Sequence, residues 1–377
     1  MRTIVRETEY DCGCKYVPES VSLEQALKVG FNESEYPPFC IDHPDAPAIR
    51  AEIDVQIDNS GIETMWLCDR KYLYSSEMHL APLAPSNPLR YGVMIHSGFE
   101  HFWEAVKEGK DYETASVRAE DAFMEQWIDS GGLVDRARTD DMAQAIFAKY
   151  ATFVMSRDLA GYKWEVEDTE VNGSIYLEKI KVGIENHNIY YVINVDMVVM
   201  CDGKRWIVDY KTHSGNYFGD DWVKPWQMSS QMTGYIATYQ ELLNREVAGV
   251  QIVGILIKML KSGPQPDFLP IEIRKTQGLI DEWKKDILAT YQRIIINRRS
   301  GYWPKCDKAC DKWYASCPYM NVCEEDPALR HLQLENNYRT VVWDADNRKE
   351  IEIGTDGRTV IHKSRDFNID ILAQLDK

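Results

Sequence analysis

Apolar residues recur at helical spacing from Glu63 onward, carried first by Met65, Leu67 and Tyr72. The pattern returns over residues 89–107, where Val93, Ile95, Phe99, Phe102, Trp103 and Val106 predict one amphipathic helix. Residues 81–88 lie between, hold three prolines and read as a loop. Two more helices are predicted over 114–129 and 139–158, parted by Asp129-Ser130-Gly131-Gly132. From 175 to 212 the pattern changes to strands. Helices return over 221–243 and 277–298, with a strand from Val250 to Met259 between them. After Asp326-Pro327 the tail reads as short strands, with Asp356-Gly357 as a hairpin turn. Residues 1–60 show no strong period, and turn signals stand at Pro37-Pro38 and at His43-Pro44-Asp45-Ala46-Pro47. There is no internal repeat and no low-complexity tract.

The most informative stretch runs from Tyr190 to Thr212. Asp202-Gly203 is a two-residue hairpin signal, because a type I′ turn needs positive φ at both positions. That turn pairs Cys201 with Lys204, Val198 with Ile207 and Asp196 with Asp209. The pleat then puts Val195, Met197, Val199, Trp206, Val208 and Tyr210 on one apolar face. Asn194, Asp196, Val198, Ile207, Asp209 and Lys211 share the other. Carboxylates directly across a ladder have Cβ atoms about 4.5–5.5 Å apart and repel each other. A divalent cation offsets that repulsion, and Mg²⁺ takes carboxylate oxygens while retaining waters. Lys211 follows on the same face, within reach of a metal-bound water or a phosphate. Alone, a D-x-K triplet is also what a solvent-facing hairpin with a Lys–Asp pair looks like.

Composition narrows the class. With 44% hydrophobic and 27% charged residues among 377, the chain can bury a core, which excludes a disordered polymer. No apolar run reaches the roughly 18 residues of a membrane span. Met1 to Glu7 lack the apolar stretch of a signal peptide, so a cytoplasmic location without membrane attachment is expected. A net charge of −17 argues against coating nucleic acid by charge alone. The acid is uneven: residues 1–60 hold 5 basic and 12 acidic side chains, whereas residues 261–313 hold 11 basic and 7 acidic. Lys261, Arg274, Lys275, Lys284, Lys285, Arg293, Arg298 and Arg299 therefore form the candidate track for a polyanion.

Nine cysteines, an odd number, suit a disulfide framework poorly. Four of them, Cys306, Cys310, Cys317 and Cys323, fall within 18 residues, which points to metal or cluster ligation. Cys12, Cys14, Cys40 and Cys201 read as reduced structural thiols.

A carboxylate in one strand and D-x-K in the next, here Asp196 and Asp209-Tyr210-Lys211, resembles the PD-(D/E)xK nuclease superfamily. Gly92-Val93-Met94-Ile95-His96 is similar to the G-x-x-x-H helix of its RecB-type branch, which includes AddB nucleases, CRISPR-adaptation nucleases and phage exonucleases. Gln231-Met232-Thr233-Gly234-Tyr235 is similar to that branch's Q-x-x-x-Y helix. Cys68-Asp69-Arg70-Lys71-Tyr72, with Cys310, Cys317-Pro318-Tyr319 and Cys323, resembles its iron–sulfur variant. The resemblance spans roughly residues 63–325. Ile193 stands where the family often has a glycine, and Cys306 is an additional cysteine beside the triplet.

The resemblance implies an α/β fold, a mixed central β-sheet flanked by helices (a restriction-endonuclease-like core) with an iron–sulfur staple. Residues 1–60 become an acidic extension, 61–325 the nuclease core and 326–377 a β-rich tail. It implies Mg²⁺ or Mn²⁺ held by His96, Asp196, Asp209 and the Tyr210 carbonyl, with Lys211 as the fixed positive charge. Gln231 and Tyr235, four apart on one helical face, would hold the DNA backbone or orient the site. Trp222 and Trp226 nearby are core-packing or base-stacking side chains. Cys68, Cys310, Cys317 and Cys323 would bind a 4Fe-4S cluster, with zinc as the rival because four thiolates suit both. The implied activity is a metal-dependent deoxyribonuclease, an exonuclease acting in recombination, repair or phage DNA processing. Its implied partners are DNA single strands or duplex ends, together with a helicase, recombinase or single-strand-binding protein in a bacterial or phage-infected cell. The alternatives are a catalytically silent DNA-binding recombination or packaging component and a cluster-carrying redox or sensor protein.

Overall fold

The structure, a computed structural model, describes residues 2–17, 37–83, 86–312, 315–344, 349–353 and 359–362. In chain order its principal elements are strands β1 (Arg2–Tyr10) and β2 (Ala48–Ile57), then helices α1 (Asn59–Leu67), α2 (Asn87–Lys107), α3 (Tyr112–Asp129) and α4 (Asp140–Leu159). Strands β3 (Glu165–Val182), β4 (Glu185–Cys201) and β5 (Lys204–Ser214) follow, then helix α5 (Ser230–Leu243). Strands β6 (Gly249–Ile257) and β7 (Asp267–Ile273) precede helix α6 (Gln277–Ser300).

The helix ends follow local chemistry. Asp111 and Thr139 cap α3 and α4 by accepting from the backbone N–H groups of Thr114 and Met142. Pro88, read from the sequence as loop, lies in the first turn of α2, where its missing N–H costs nothing. The helix expected over 221–243 is interrupted. A short helix (Asp220–Val223) and a 3₁₀ turn (Lys224–Met228) containing Pro225 come first, then Ser229 turns extended and caps α5. Asn244, in the left-handed region at φ 47°, ends it.

The chain divides into two compact units, and β3, β4 and α6 each contribute to both. One unit comprises Pro85–Gly173 and Ile193–Trp283. Its sheet is mixed, in the order β7-β6-β5-β4: β5 and β6 are parallel, and both outer pairings are antiparallel. The parallel pair needs a crossover, which α5 supplies. Every residue of β6 is buried, as expected for a central strand covered on both faces. Helices α2, α3 and α4 cover one face, packing Phe99, Phe102, Trp103, Phe123 and Phe147 with Met197, Val199, Trp206, Val208 and Tyr210. The apolar face expected of the hairpin is thus a core face. Its other face is no solvent surface either, because Val198 and Ile207 are fully buried. Strand β7 escaped the sequence pattern because Pro270 interrupts it; it lies at the end of this strand order, where proline is tolerated.

The other unit comprises Met1–Ala84, Ser174–Val192 and Lys284–Lys377. Residues 1–60, without visible period, contribute the antiparallel strands β1 and β2. Strand β2 pairs in parallel with the first half of β4, Ala51 with Glu185 through Ile57 with Tyr191. A second sheet joins Leu80–Pro82 to Tyr338–Asp344, Lys349–Ile353 and Thr359–His362. Part of the expected 81–88 loop is therefore strand. The tail's short strands are present, and Asp356-Gly357 lies outside the described residues. Among the described residues no helix is long and apolar enough to cross a membrane.

Candidate active site

Asp202 and Gly203 take φ of 50° and 66°, both in the left-handed region a type I′ turn demands. The ladder runs from Cys201–Lys204 to Met197–Val208 in the expected register. Asp196 and Asp209 are the next pair, one step past the last ladder pair. There the Tyr210 N–H donates to Asp196 Oδ2 at 2.9 Å, so a side chain takes the backbone donor.

Two ion pairs meet at this open end. His96 Nδ1 on α2 lies 3.3 Å from Asp196. Lys211 Nζ lies 2.8–3.0 Å from the oxygens of Asp209, whose side chain is 1% exposed. Burial works to lower the His96 pKa, but the Asp196 charge outweighs it and holds the imidazole above its ordinary value. Burial likewise opposes ionisation of Asp196, and His96, Lys211 and the Tyr210 N–H bring its pKa below the usual carboxylate range. Asp209 goes the other way: burial first, then the Asp196 charge, raise its pKa despite Lys211. The repulsion expected between the two carboxylates is therefore present. Among the described residues none donates a well-directed hydrogen bond to the buried Asp209 Oδ2, although the Lys211 ammonium is 2.8 Å away. Two carboxylates, an imidazole and an incompletely satisfied oxygen fit a hard divalent cation with an added nitrogen ligand.

The family profile of the PD-(D/E)XK nuclease superfamily matches residues 59–324. The chain belongs to this superfamily. Its members are typically metal-dependent nucleases, and Asp196, Asp209, Lys211 and His96 all lie inside the matched region. Among solved structures, "Crystal structure of SSO0001" aligns over 69% of this chain and 95% of its own, at 14% identity and a TM-score of 0.25, too low to carry an argument. No curated protein matches the chain.

At the strand end, Tyr210 does more than offer a carbonyl. Its ring stacks on Phe99 at 4.3 Å, Trp103 Nε1 donates to its hydroxyl at 2.7 Å, and the Tyr150 hydroxyl lies 2.7 Å away. The phenol thus anchors β5, and with it Asp209 and Lys211, against the helix that carries His96. The signal was present: Phe99 and Trp103 follow His96 by three and seven residues, on one helical stripe.

Gly92, the glycine of the G-x-x-x-H match, is not a close-approach position, since a Cβ there would meet Thr212 Oγ1 at an ordinary 3.8 Å. Gly98 is, because its Cβ would fall 2.1 Å from Phe147 Cζ and 3.0 Å from the Ala119 carbonyl. Gln231 Nε2 donates to Tyr235 Oη at 2.8 Å, so these two residues meet across one helical turn. Lys211 Nζ lies 6.0 Å from the Trp226 ring centroid. From there His213, Phe218, Trp222 and Trp226 form a chain of neighbouring rings, seated over Gly254, where a Cβ would strike Trp222 at 2.5 Å.

In the other unit, Cys68, Cys306, Cys310, Cys317 and Cys323 line one cavity together with Lys71 and Tyr319. Cys68 is the extended residue between α1 and the short helix Asp69–Tyr72. Its segment is tied to the C-terminal cysteines by several contacts. Arg70 donates from its backbone to the Pro304 carbonyl and from Nε to that of Trp303, Tyr72 stacks on Trp303, and the Cys306 N–H donates to Cys68 Sγ at 3.3 Å. Burial and the neighbouring thiols Cys317, Cys323 and Cys68 raise the Cys310 pKa, so ionised sulfurs there need a cation. Among the described residues these cysteines are not a group whose sulfurs all lie within 4.8 Å of one another.

Three arginines of the basic stretch 261–313 are engaged in ion pairs. Arg274 pairs with Glu272, Arg293 with Asp69 and Arg298 with Glu77, the last through two hydrogen bonds of 2.6 and 2.9 Å. Arg298 is a structural ion-pair partner, contrary to its expected role at phosphate.

Proposed function

We propose that this chain is a RecB-type exonuclease that hydrolyses phosphodiester bonds in DNA. In this reading His96, Asp196, Asp209 and the Tyr210 carbonyl hold Mg²⁺ or Mn²⁺. The observation that carries it is the meeting of the His96–Asp196 and Asp209–Lys211 pairs where the β4–β5 ladder stops. When bound, the divalent ion supplies Lewis-acid chemistry at a phosphate and lowers the pKa of water.

The chain's own residues do the rest. Asp209 is kept in a desolvated setting, so its charge is best satisfied by a cation. Lys211 is held within 3.0 Å of Asp209 and places a positive charge where negative charge grows on a phosphate under attack. Tyr210 locks β5 to α2, so the two pairs keep their spacing. Gln231 and Tyr235, hydrogen-bonded to each other, are proposed to position the DNA backbone. The net charge of −17 makes encounter with DNA slow and salt-sensitive, so affinity must come from local contacts.

We assign Cys68, Cys310, Cys317 and Cys323 to a 4Fe-4S cluster. The four thiols, one from Cys68 and three from the C-terminal segment, line one cavity and are the donor set such a cluster takes. DNA ends are the proposed substrate, with a helicase, recombinase or single-strand-binding protein as the source of those ends.

The test is end-labelled single- and double-stranded DNA incubated with the protein, with and without Mg²⁺ or Mn²⁺. Metal-dependent release of short products from ends supports the reading. Internal fragments would make it an endonuclease, and no cleavage under any divalent ion would remove it.

A further inference from the structure

Cys12, Cys14, Cys40 and His43 lie 26 or more residues apart across the gap from Cys14 to Cys40. By spacing alone the three cysteines read as ordinary thiols. In the structure one ligating atom from each of the four residues lies within 4.8 Å of all the others. His43 Nδ1 is 3.5 Å from Cys14 Sγ and 3.6 Å from Cys40 Sγ. None of the three cysteines is in a disulfide.

Those distances fit a single ion held by all four residues. A tetrahedral zinc with Zn–S of about 2.3 Å and Zn–N of about 2.0–2.1 Å has sulfur–nitrogen edges of about 3.5 Å and sulfur–sulfur edges of about 3.8 Å. The observed edges to His43 match the first value. Two turns present the ligands. At the end of β1, Gly13 takes φ +82°, and Tyr10 exchanges hydrogen bonds with Gly13 and Cys14. Facing it, the Cys40 N–H donates to the Ala46 carbonyl and the Ala46 N–H to that of His43. The turns are joined by Asp11 N–H to the Pro47 carbonyl at 3.0 Å and by Tyr10 Oη to the Pro37 carbonyl at 2.9 Å. These bonds bring the two turns together, so that one ligating atom from each of the four residues faces the same point.

We propose that Cys12, Cys14, Cys40 and His43 form a structural zinc site. Its spacing, C-x-C followed by C-x-x-H, supplies three soft sulfurs and one imidazole, the donor set zinc prefers. Four protein ligands close the coordination shell, so the site is structural and leaves no position for substrate. The ion clamps the end of β1 to residues 40–43.

The test is zinc K-edge X-ray absorption on the full-length protein purified without oxygen, with zinc and iron counted per chain. The site predicts bound zinc with three sulfur neighbours and one nitrogen, with the scattering pattern of an imidazole. The Cys68 centre has no histidine, so this signature distinguishes the two. His43→Cys should keep the zinc, replace nitrogen by sulfur and leave the iron content unchanged. Cys14→Ser with Cys40→Ser should lose one zinc per chain. Protein without zinc, or with zinc surrounded by four sulfurs and no imidazole, would overturn the proposal. So would a His43→Cys variant whose zinc spectrum equals that of the parent. Because the first reading uses the unaltered protein, the result stands even if the double variant does not fold.

Discussion

The backbone N–H of Tyr210 donates to the carboxylate of Asp196 at 2.9 Å, one residue beyond the last pair of the β4–β5 ladder. This bond fixes one carboxylate by the backbone that bears the other, so Asp196 and Asp209 stay together although their charges oppose each other. His96 and Lys211 then neutralise one each. The result is a site set by a strand end and a helix rather than by a loop.

The two glycines of α2 should behave oppositely. Gly98→Ala places a methyl group against Phe147, which is fully buried and cannot swing away. Overpacking of about 1–3 kcal/mol is expected, at the upper end because the contact is 2.1 Å, against about 1 kcal/mol of helix propensity gained. Gly92→Ala meets open contact and should be neutral or stabilising by up to about 1 kcal/mol. Thermal melts of both variants check this; a destabilised Gly92→Ala with a normal Gly98→Ala would reverse the assignment.

Arg298 should matter to folding and not to DNA. It grips Glu77 with two hydrogen bonds, and both side chains are largely shielded, at 32% and 16% exposure. Arg298→Gln should cost about 1–2 kcal/mol of stability. The salt dependence of DNA binding should stay unchanged, since no phosphate contact is lost. A flatter salt slope at parental stability would restore Arg298 to a DNA track.

The cysteine centre should be read by iron. Cys317→Ser should bleach the visible absorption and lower the iron content. A loss of about 2 kcal/mol, or about 4–8 °C in Tm, is expected from loosening the segment around Cys68. Arg70 and Tyr72 still tie that segment to Trp303, so the chain should remain folded. Colourless parental protein with zinc on four sulfurs would replace the cluster by a zinc site.

Acid should weaken the β2 end of its sheet through Glu52. Burial works to raise its pKa, but Arg50, Lys179 and Asn186 lower it to about 2. A depressed carboxyl stabilises the fold above its unfolded pKa, and this contribution fades as pH falls from about 4.5 toward 2. Arg50 and Lys179 are about half exposed, so screening leaves about 1 kcal/mol rather than the roughly 3 kcal/mol the shift alone implies. The Tm difference between the parent and Glu52→Gln should be present at pH 7 and shrink as the pH falls from about 4.5, closing near pH 2. A gap that widened in acid would refute it.

Local physics explains what could be read before the fold was seen. The β4–β5 register followed from Asp202-Gly203, because one turn type and a side-chain period of two determine every pair that follows. The Gln231–Tyr235 contact followed from i, i+4 spacing on one helix. Strands β1 and β2 did not, because β2 finds its partner more than a hundred residues later and that pairing leaves no local period. Arg293–Asp69 and Arg298–Glu77 are hidden for the same reason, and so a basic stretch looked like a DNA track. The C-x-C and C-x-x-H spacings were visible, but only the fold places them face to face.

The most direct measurement is the cleavage rate of Asp209→Asn beside the parent on end-labelled DNA, at saturating Mg²⁺ or Mn²⁺, with folding checked by circular dichroism. The substitution keeps the shape of a buried side chain and removes its charge, so the fold should persist. If Asp209 completes a metal-dependent nuclease site with Asp196, His96 and Lys211, cleavage should fall about a hundredfold or more. A folded Asp209→Asn protein that degrades DNA at the parental rate would contradict the account.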